Sequence, residues 1–323
     1  MGDKTRLSHS CIRCFKECQR RYYFNYVRRI ERDTKDEKRH MGSALHHALD
    51  MNAKGSDTQA CVKSIVEDMN QLSTDDRLFK AYMLVALFRA YLWYYSENKV
   101  TILGSEKTVS ASIPKCRSFY VMGIVDKEFQ DQSTGLKYVV DHKLVSEDIG
   151  VDTDFADRLH MDPQTSMYIH LGNGEYAGML YDVIKKPGIK PKAVSKADMK
   201  ELEDTGKYCG LVISESSRPR EDGRETPAMY GARCMAAIME NPTAYFRRIM
   251  ATRTREEMAK FVEDIDRTRK QIAFVTRKGL FVANEASCKI PYKCDYLPIC
   301  LSGQWHDDII PQGYRLKGEK SNG

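Results

Sequence analysis

Gly123-Ile-Val-Asp126 and Val139-Val140-Asp141-His142-Lys143, with a turn around Asp131–Gly135 between them, are the most informative stretches of this sequence. Each sets an aspartate at the end of, or inside, a short apolar run rich in β-branched residues, which is the composition of a strand. Strands adjacent in sequence and joined by a turn pair antiparallel, and that pairing brings Asp126 and Asp141 close together. Side chains alternate along a strand, so Asp141 and Lys143 face the same side. Two carboxylates and an ammonium then share one small region. Like charges so close are costly unless a cation lies between them. Mg²⁺ or Mn²⁺, one ion or two, supplies that charge, activates water and neutralises a phosphoryl transition state. Lys143 orients the water or stabilises the developing negative charge.

Further strands read outward from this pair. Val100–Leu103, Val109–Ile113, Phe119–Phe129, Tyr138–Val145 and Glu175–Lys185 have the texture of short strands. Helices precede and follow them. Ser8 and Ser10 are caps for a first helix running to about Arg29, in which Ile12, Phe15, Cys18, Tyr22 and Tyr26 share one face, so Cys18 points inward with the aromatics. The charged stretch Glu31–Arg39 reads as an exposed loop. A second helix carries Met41–Leu49, and others are expected at Thr58–Leu72, Thr74–Asn98, Asp162–Leu171 and Thr254–Val275. Lys186 to Pro227 is rich in Lys, Arg, Pro and Gly with weak periodicity, and reads as a basic insertion or flexible excursion that touches substrate. The expectation is an α/β fold in four parts of one integrated domain: a helical N-terminal region (1–99), a core (100–185), the insertion (186–227) and a C-terminal helical region (228–323).

The chain has 323 residues, 42% of them hydrophobic and 30% charged, enough for a sizeable core. Its net charge of +6 suits a polyanionic partner without requiring one. The opening MGDKTRLSHS has no apolar signal core, and the apolar stretch Ala81–Tyr95 is interrupted by Arg89 and too short to span a bilayer. A cytoplasmic location, in a prokaryote or a phage-infected host, and no membrane partner are expected.

Two weaker patterns flank the acidic pair. Gly42-x-x-x-His46 lies on an upstream helix, where a neutral His46 imidazole can be a third metal ligand. Gln164-x-x-x-Tyr168 lies on a downstream helix; four residues apart, the two share a face and can reach phosphate or bases of the scissile strand. The ordered set His46, Asp126, Asp141-x-Lys143, Gln164-x-x-x-Tyr168, preceded by Ser8-His-Ser-Cys-Ile-Arg-Cys-Phe-Lys-Glu-Cys-Gln-Arg-Arg-Tyr-Tyr-Phe-Asn-Tyr26, resembles the RecB-type nuclease domain of the PD-(D/E)XK superfamily, and among its members the stand-alone phage and CRISPR-adaptation nucleases. Asp141 stands where many relatives have Glu, and Cys18-Gln19 where relatives often have Cys-Pro. The resemblance implies a restriction-endonuclease-like core, a mixed central sheet flanked by helices. It further implies that His46, Asp126, Asp141 and the backbone carbonyl of His142 hold the catalytic metal, and that Lys143 serves the attacking water. Glu106, after a short strand, is a secondary candidate.

Ten cysteines without a secretory signal point to metal binding or free thiols before disulfides. Cys288, Cys294 and Cys300 recur at intervals of six, unlike the Cys-x-x-Cys pair of a zinc ribbon. Three thiolates need a fourth ligand to carry a [4Fe–4S] cluster. The resemblance puts that ligand on the first helix at Cys18, with Cys11 and Cys14 in reserve, so that a cluster clamps the two terminal regions together. Cys61, Cys116, Cys209 and Cys234 are expected to be buried thiols.

The resulting expectation is a DNA phosphodiesterase, acting as an exonuclease on single strands or accessible ends, in recombination or repair, with recombination or replication proteins as partners. Arg20, Arg21, Arg28 and Arg29 either contact phosphates or form a solvated face; Tyr22, Tyr23 and Tyr26 either stack on bases or pack in the core. Two alternatives stand beside this: a catalytically idle module that binds DNA ends or a partner protein, and a zinc-bearing RNA-processing protein.

Overall fold

A computed structural model describes residues 4–33, 37–97, 100–213, 218–289, 293–303 and 309–318. In chain order these form β1 (Thr5–Leu7), α1 (His9–Glu17), α2 (Gln19–Tyr22), a π-helical turn (Tyr23–Val27), β2 (Ile30–Arg32), α3 (Glu37–Ala53), α4 (Thr58–Met69) and α5 (Arg77–Tyr94). The strands β3 (Val100–Ser112), β4 (Phe119–Asp131) and β5 (Lys137–Val145) follow, then α6 (Asp154–Met161), α7 (Pro163–Leu171) and β6 (Tyr176–Lys185). Next come α8 (Lys196–Thr205), β7 (Lys207–Tyr208), β8 (Leu211–Val212), α9 (Pro227–Glu240), β9 (Phe246–Ala251) and α10 (Arg255–Lys278). A 3₁₀ turn (Glu285–Cys288), α11 (Leu297–Ser302) and β10 (Tyr314–Leu316) complete the order.

The central sheet is mixed, ordered β1-β4-β5-β6-β9, with β3 running along β4. β3, β4 and β5 form an antiparallel meander, α6 and α7 cross over to β6, which lies parallel to β5, and β9 closes the edge antiparallel to β6. β1 and β9 thus enter the sheet from outside residues 100–185. The two strands expected at Val100–Leu103 and Val109–Ile113 are one continuous strand, bulged between Ile102 and Gly104. At a bulge the residue alternation slips, and the apolar signal breaks in two.

One face of the sheet meets α3, α4, α5 and α9, whose Leu45, Ile65, Leu84, Phe88 and Ile238 are fully buried. The other face meets α1, α7 and α10 through Phe15, Met167, Leu171, Ile265 and Ile272. Each such side chain contributes about 1.5–3 kcal/mol on burial.

The first helix is not one helix to Arg29. α1, capped by the Ser8 side chain, stops at Glu17, and Cys18 takes an extended backbone. A broken helix leaves carbonyls without partners. Here the tail supplies them: Asn284 Nδ2 donates to the Glu17 carbonyl at 2.9 Å and Ser287 Oγ at 3.1 Å, while Arg20 N donates to Val282 O. Cys18 therefore does not point inward with the aromatics; it is half-buried and faces the tail, accepting from Asn284 N. The tyrosines do pack: Tyr22 is buried edge-on against Phe15, and Tyr23 lies on Phe281.

Residues 34–36 of the charged stretch Glu31–Arg39 lie outside the described residues, and on either side of them that stretch contributes to β2 and α3. β2 pairs antiparallel with β10, and Phe24, Ile30, Tyr296, Ile299 and Tyr314 form a small core beneath the pair.

Within residues 186–227, α8 is set by a capping box between Ser195 and Asp198 and ended by Gly206 in a left-handed conformation. No residue of α8 is buried, which explains the weak periodicity. The segment is fixed by charge instead. Glu225, fully buried, accepts from Tyr208 Oη (2.7 Å), Arg233 Nη2 (2.8 Å) and Lys192 N (2.9 Å).

Candidate active site

β4 is flanked along one side by β3, and on its other side by β5 only at residues 127–130 and by β1 only at 119–121. Between those two pairings β4 has no strand neighbour on that side among the described residues, and the site lies at this opening. Asp126 is the first residue past the β5 pairing, and Asp141 follows Val140 at the same point of β5. Asp126 Oδ2 accepts the backbone N–H of His142 at 2.9 Å, bridging the strands where their ladder ends.

α7 reaches into the opening. Asp162 caps it and Pro163 starts it, so Gln164 and Tyr168, a turn apart, both face the sheet. Gln164 bridges the pair on β5: its Nε2 donates to Asp141 Oδ1 at 2.7 Å, and Lys143 Nζ donates to its Oε1 at 3.0 Å. Lys143 Nζ lies 2.7 Å from Asp141 Oδ2. Tyr168 Oη donates to the unpaired carbonyl of Ile124. This close approach requires Gly123, where a Cβ would come within 3.0 Å of both Tyr168 Cε1 and Leu171 Cδ1.

α3 closes the site from the other side. His46 Nε2 donates to the His142 carbonyl at 2.8 Å, and its Nδ1 lies 3.4 Å from Asp126 Oδ2. His47 points away, to Asp68. His46, Asp126, Asp141, His142, Lys143, Gln164 and Tyr168 are thus gathered at one place.

The two carboxylates are driven apart in acidity. Burial raises the pKa of Asp141; Lys143 opposes this and Asp126 adds to it. Burial also pushes Asp126 up, but the hydrogen bond from His142 and the charges of His46 and His142 outweigh it, so Asp126 is lowered. Opposite displacement of neighbouring acids is a signature of acid–base and metal sites.

Glu106 stands across β3 from Asp126, in a left-handed backbone conformation (φ 49°). Its pKa is raised by burial, by Asp126 and by Asp50. Asp50 was not singled out from sequence. It lies one turn after His46 on α3 and is paired with Lys54 at 2.7 Å; the helical spacing from His46 was the available signal.

Among the described residues, no group of three or more His, Cys, Asp or Glu side chains is placed to hold a metal ion, and this includes the expected cluster set Cys18, Cys288, Cys294 and Cys300. His46, Asp126 and the His142 carbonyl instead contact one another directly. Their chemistry, imidazole nitrogen with carboxylate and carbonyl oxygens, fits Mg²⁺ or Mn²⁺.

Cys18, Cys288, Cys294 and Cys300 are half-buried around the break after α1. Burial raises the Cys294 and Cys300 thiols; Arg21 lowers the first, Arg20 lowers the second, and the other thiols of the set raise both. Residues 290–292 of the cysteine-rich run lie outside the described residues. Cys11 and Cys14 lie in the core, where burial raises them to about 12 and about 11. Cys61 and Cys234 are fully buried as expected, but Cys116 and Cys209 only partly, Cys209 because it occupies the turn between β7 and β8. Two of the basic residues after Cys18 are engaged within the chain: Arg21 pairs with Glu17, and Arg28 donates to the Ile309 carbonyl. Among the described residues no helix is long and apolar enough to cross a membrane.

The family model of the PD-(D/E)XK nuclease superfamily matches residues 6–301. No curated protein matches the sequence. Among solved structures, the crystal structure of SSO0001 is similar at 11% identity over 94% of this chain and 88% of that one, with a TM-score of 0.37, too loose a likeness to carry an argument.

Proposed function

This chain belongs to the PD-(D/E)XK nuclease superfamily, and from that premise we propose that it is a metal-dependent DNA nuclease of the RecB-like branch, acting as an exonuclease. The observation that supports this most is the contact of Asp141 with both Lys143 and Gln164, at the opening where Asp126 and His46 also converge. Asp126, Asp141, His46 and the His142 carbonyl hold one or two Mg²⁺ or Mn²⁺ ions. The bound metal supplies Lewis acidity to the scissile phosphate and lowers the pKa of a water. Asp141 and Gln164 hold the Lys143 ammonium in place, so its charge faces the attacking water and the developing phosphorane oxygens at no cost in reorientation. Tyr168 and Gln164 present the rim of α7 to the scissile strand, and Glu106 and Asp50 add negative charge on the side of His46.

Cys18, Cys288, Cys294 and Cys300 hold a structural [4Fe–4S] cluster in this reading. It rests on the four half-buried cysteines of the two terminal regions, where Cys18 accepts from Asn284 N and Cys294 N donates to the Cys288 carbonyl.

The test is digestion of end-labelled single- and double-stranded DNA by anaerobically purified protein, with Mg²⁺ or Mn²⁺ and with chelator. Metal-dependent release of nucleotides, abolished in Asp141→Ala, is expected. Tight DNA binding with no cleavage under any divalent ion would favour an idle end-binding module instead.

A further inference from the structure

Directly behind the site, a row of polar residues runs across three strands. His142 on β5 is opposite Asp182 on β6, and Asp182 is opposite Arg248 on β9. Alternation along β5 puts the His142 ring on the face away from Asp141 and Lys143. His142 is 4% exposed and Asp182 1%. Asp182 Oδ2 accepts from Tyr91 Oη of α5 at 2.5 Å and from Arg248 Nε at 3.3 Å, and the Arg248 guanidinium lies 3.7 Å from the Tyr95 ring centroid. The His142 ring is suspended between two carboxylates: Nδ1 is 3.6 Å from Asp126 Oδ2, and Nε2 is 4.0 Å from Asp182 Oδ2. His142 Nε2 and Asp182 Oδ1 are buried without hydrogen-bond partners among the described residues.

An aspartate inside an otherwise apolar strand costs several kcal/mol in desolvation, and a sheet covered by helices would be more stable with an aliphatic residue there. The position of His142 supplies a reason. Its main chain is the meeting point of the site: the N–H holds Asp126 and the carbonyl receives His46. Whatever fixes the ring fixes the orientation of that peptide, and with it two of the groups that would meet the metal. Partners behind first ligands commonly do this.

We propose that Asp182, Tyr91 and Arg248 form a positioning array that acts through the His142 ring to hold Asp126, His46 and the His142 carbonyl in register for the divalent ion. Arg248 and Tyr91 orient the Asp182 carboxylate, which faces the imidazole at 4.0 Å and acts on it through its charge, without a hydrogen bond. The inference rests on the metal-nuclease reading above.

The experiment is isothermal titration of Mn²⁺ into wild type, Asp126→Ala, Asp182→Asn and Tyr91→Phe, with no DNA present, so turnover does not enter. Glu225→Gln serves as a control: it removes a buried, ion-paired carboxylate far from the opening and should destabilise the fold without changing Mn²⁺ affinity. Asp182→Asn is expected to weaken Mn²⁺ binding by roughly ten- to a hundredfold. Tyr91→Phe, which keeps the ring and loses one hydroxyl, should weaken it in the same direction by a smaller factor. Asp182→Asn removes the carboxylate that Arg248 pairs with, so if it fails to fold, Tyr91→Phe alone decides. Wild-type affinity in folded Asp182→Asn, or in Tyr91→Phe when Asp182→Asn does not fold, would overturn the array while leaving the metal site standing. No Mn²⁺ binding in wild type, or binding indifferent to Asp126→Ala, would instead overturn the reading of the site itself.

Discussion

Lys143 is held from two sides: Asp141 on its own strand and Gln164 on the facing helix fix its ammonium. Lys143→Ala is therefore expected to reduce cleavage by about 10²–10⁴-fold with the fold retained, a range typical of a positioned charge or proton-transfer group. Asp126→Ala and Asp141→Ala should abolish metal-dependent cleavage; gel assays on folded, purified variants measure this, and near-native rates in Asp141→Ala would refute the assignment. His46→Ala should damage cleavage strongly and His47→Ala mildly, because only His46 faces Asp126. Gly123→Ala gives a different kind of test. Its new methyl meets Tyr168 and Leu171, displacing α7 and with it Gln164. Since a misplacement of an ångström can cost about a hundredfold, a loss up to that size is expected, and a second substitution that shortens Leu171 should restore part of it. Asp126, Asp141 and Lys143 were legible because strand alternation fixes which side chains share a face. Asp182 and Arg248 were not: two residues on separate strands become neighbours only through register, which a single sequence does not display.

At the scale of elements, α7, α10 and β4 to β6 follow their sequence patterns closely: α7 and α10 have clear caps, and β4 to β6 are rich in β-branched and aromatic residues, β6 being buried on both faces. α8 escaped because it presents no apolar stripe, and its segment is held by Glu225 instead. That carboxylate is pushed up by burial but lowered further by Arg233, Tyr208 and the Lys192 amide, so its pKa in the fold lies below the unfolded value. The sign follows directly. Its stabilisation is present in full above the unfolded glutamate value of about 4.3, and is lost as pH falls through the lower folded value. Glu225→Gln should cost about 3–5 kcal/mol near neutrality, because Arg233 is left buried beside an uncharged group. The gap between mutant and wild type in urea unfolding should narrow below pH 4.3; a gap independent of pH would show that Glu225 acts by packing alone.

At the scale of the whole molecule, the N-terminal and C-terminal regions close on one another. β2 pairs with β10, Asn284 and Ser287 cap the end of α1, and the four candidate cluster cysteines lie at the same seam. Anaerobically purified protein is expected to be yellow-brown and to contain iron and acid-labile sulfide. Cys300→Ser should lose both and unfold at a lower Tm, since assembly of such a site is coupled to folding. Cys11→Ser and Cys14→Ser, whose thiols lie in the core, should keep the iron. Zinc without sulfide in the wild type would refute the cluster, and full iron occupancy in Cys18→Ser would refute its fourth ligand. The cysteine spacing was visible in the sequence. The interruption of the first helix was not, because the groups that stabilise it are 262 (Arg20 to Val282) to 270 (Glu17 to Ser287) positions further along the chain.

The interruption at Cys18 also orders events during synthesis. While the ribosome is still making the middle of the chain, nothing exists to accept the exposed end of α1, and nothing yet breaks the helix after Glu17. Only when residues 282–287 emerge can the Glu17 carbonyl and the Arg20 amide find their partners, and the helix must then unwind a residue for the seam to form. Contacts so distant in sequence form slowly. The last act of maturation would be a local rewriting of the first segment made. Hydrogen exchange on nascent chains arrested at residue 278 should find the Gln19 amide protected as in a continuous helix, and that amide should change protection once the tail has been released, while the Cys18 amide, bonded to the Cys14 carbonyl in the mature fold as well, should not.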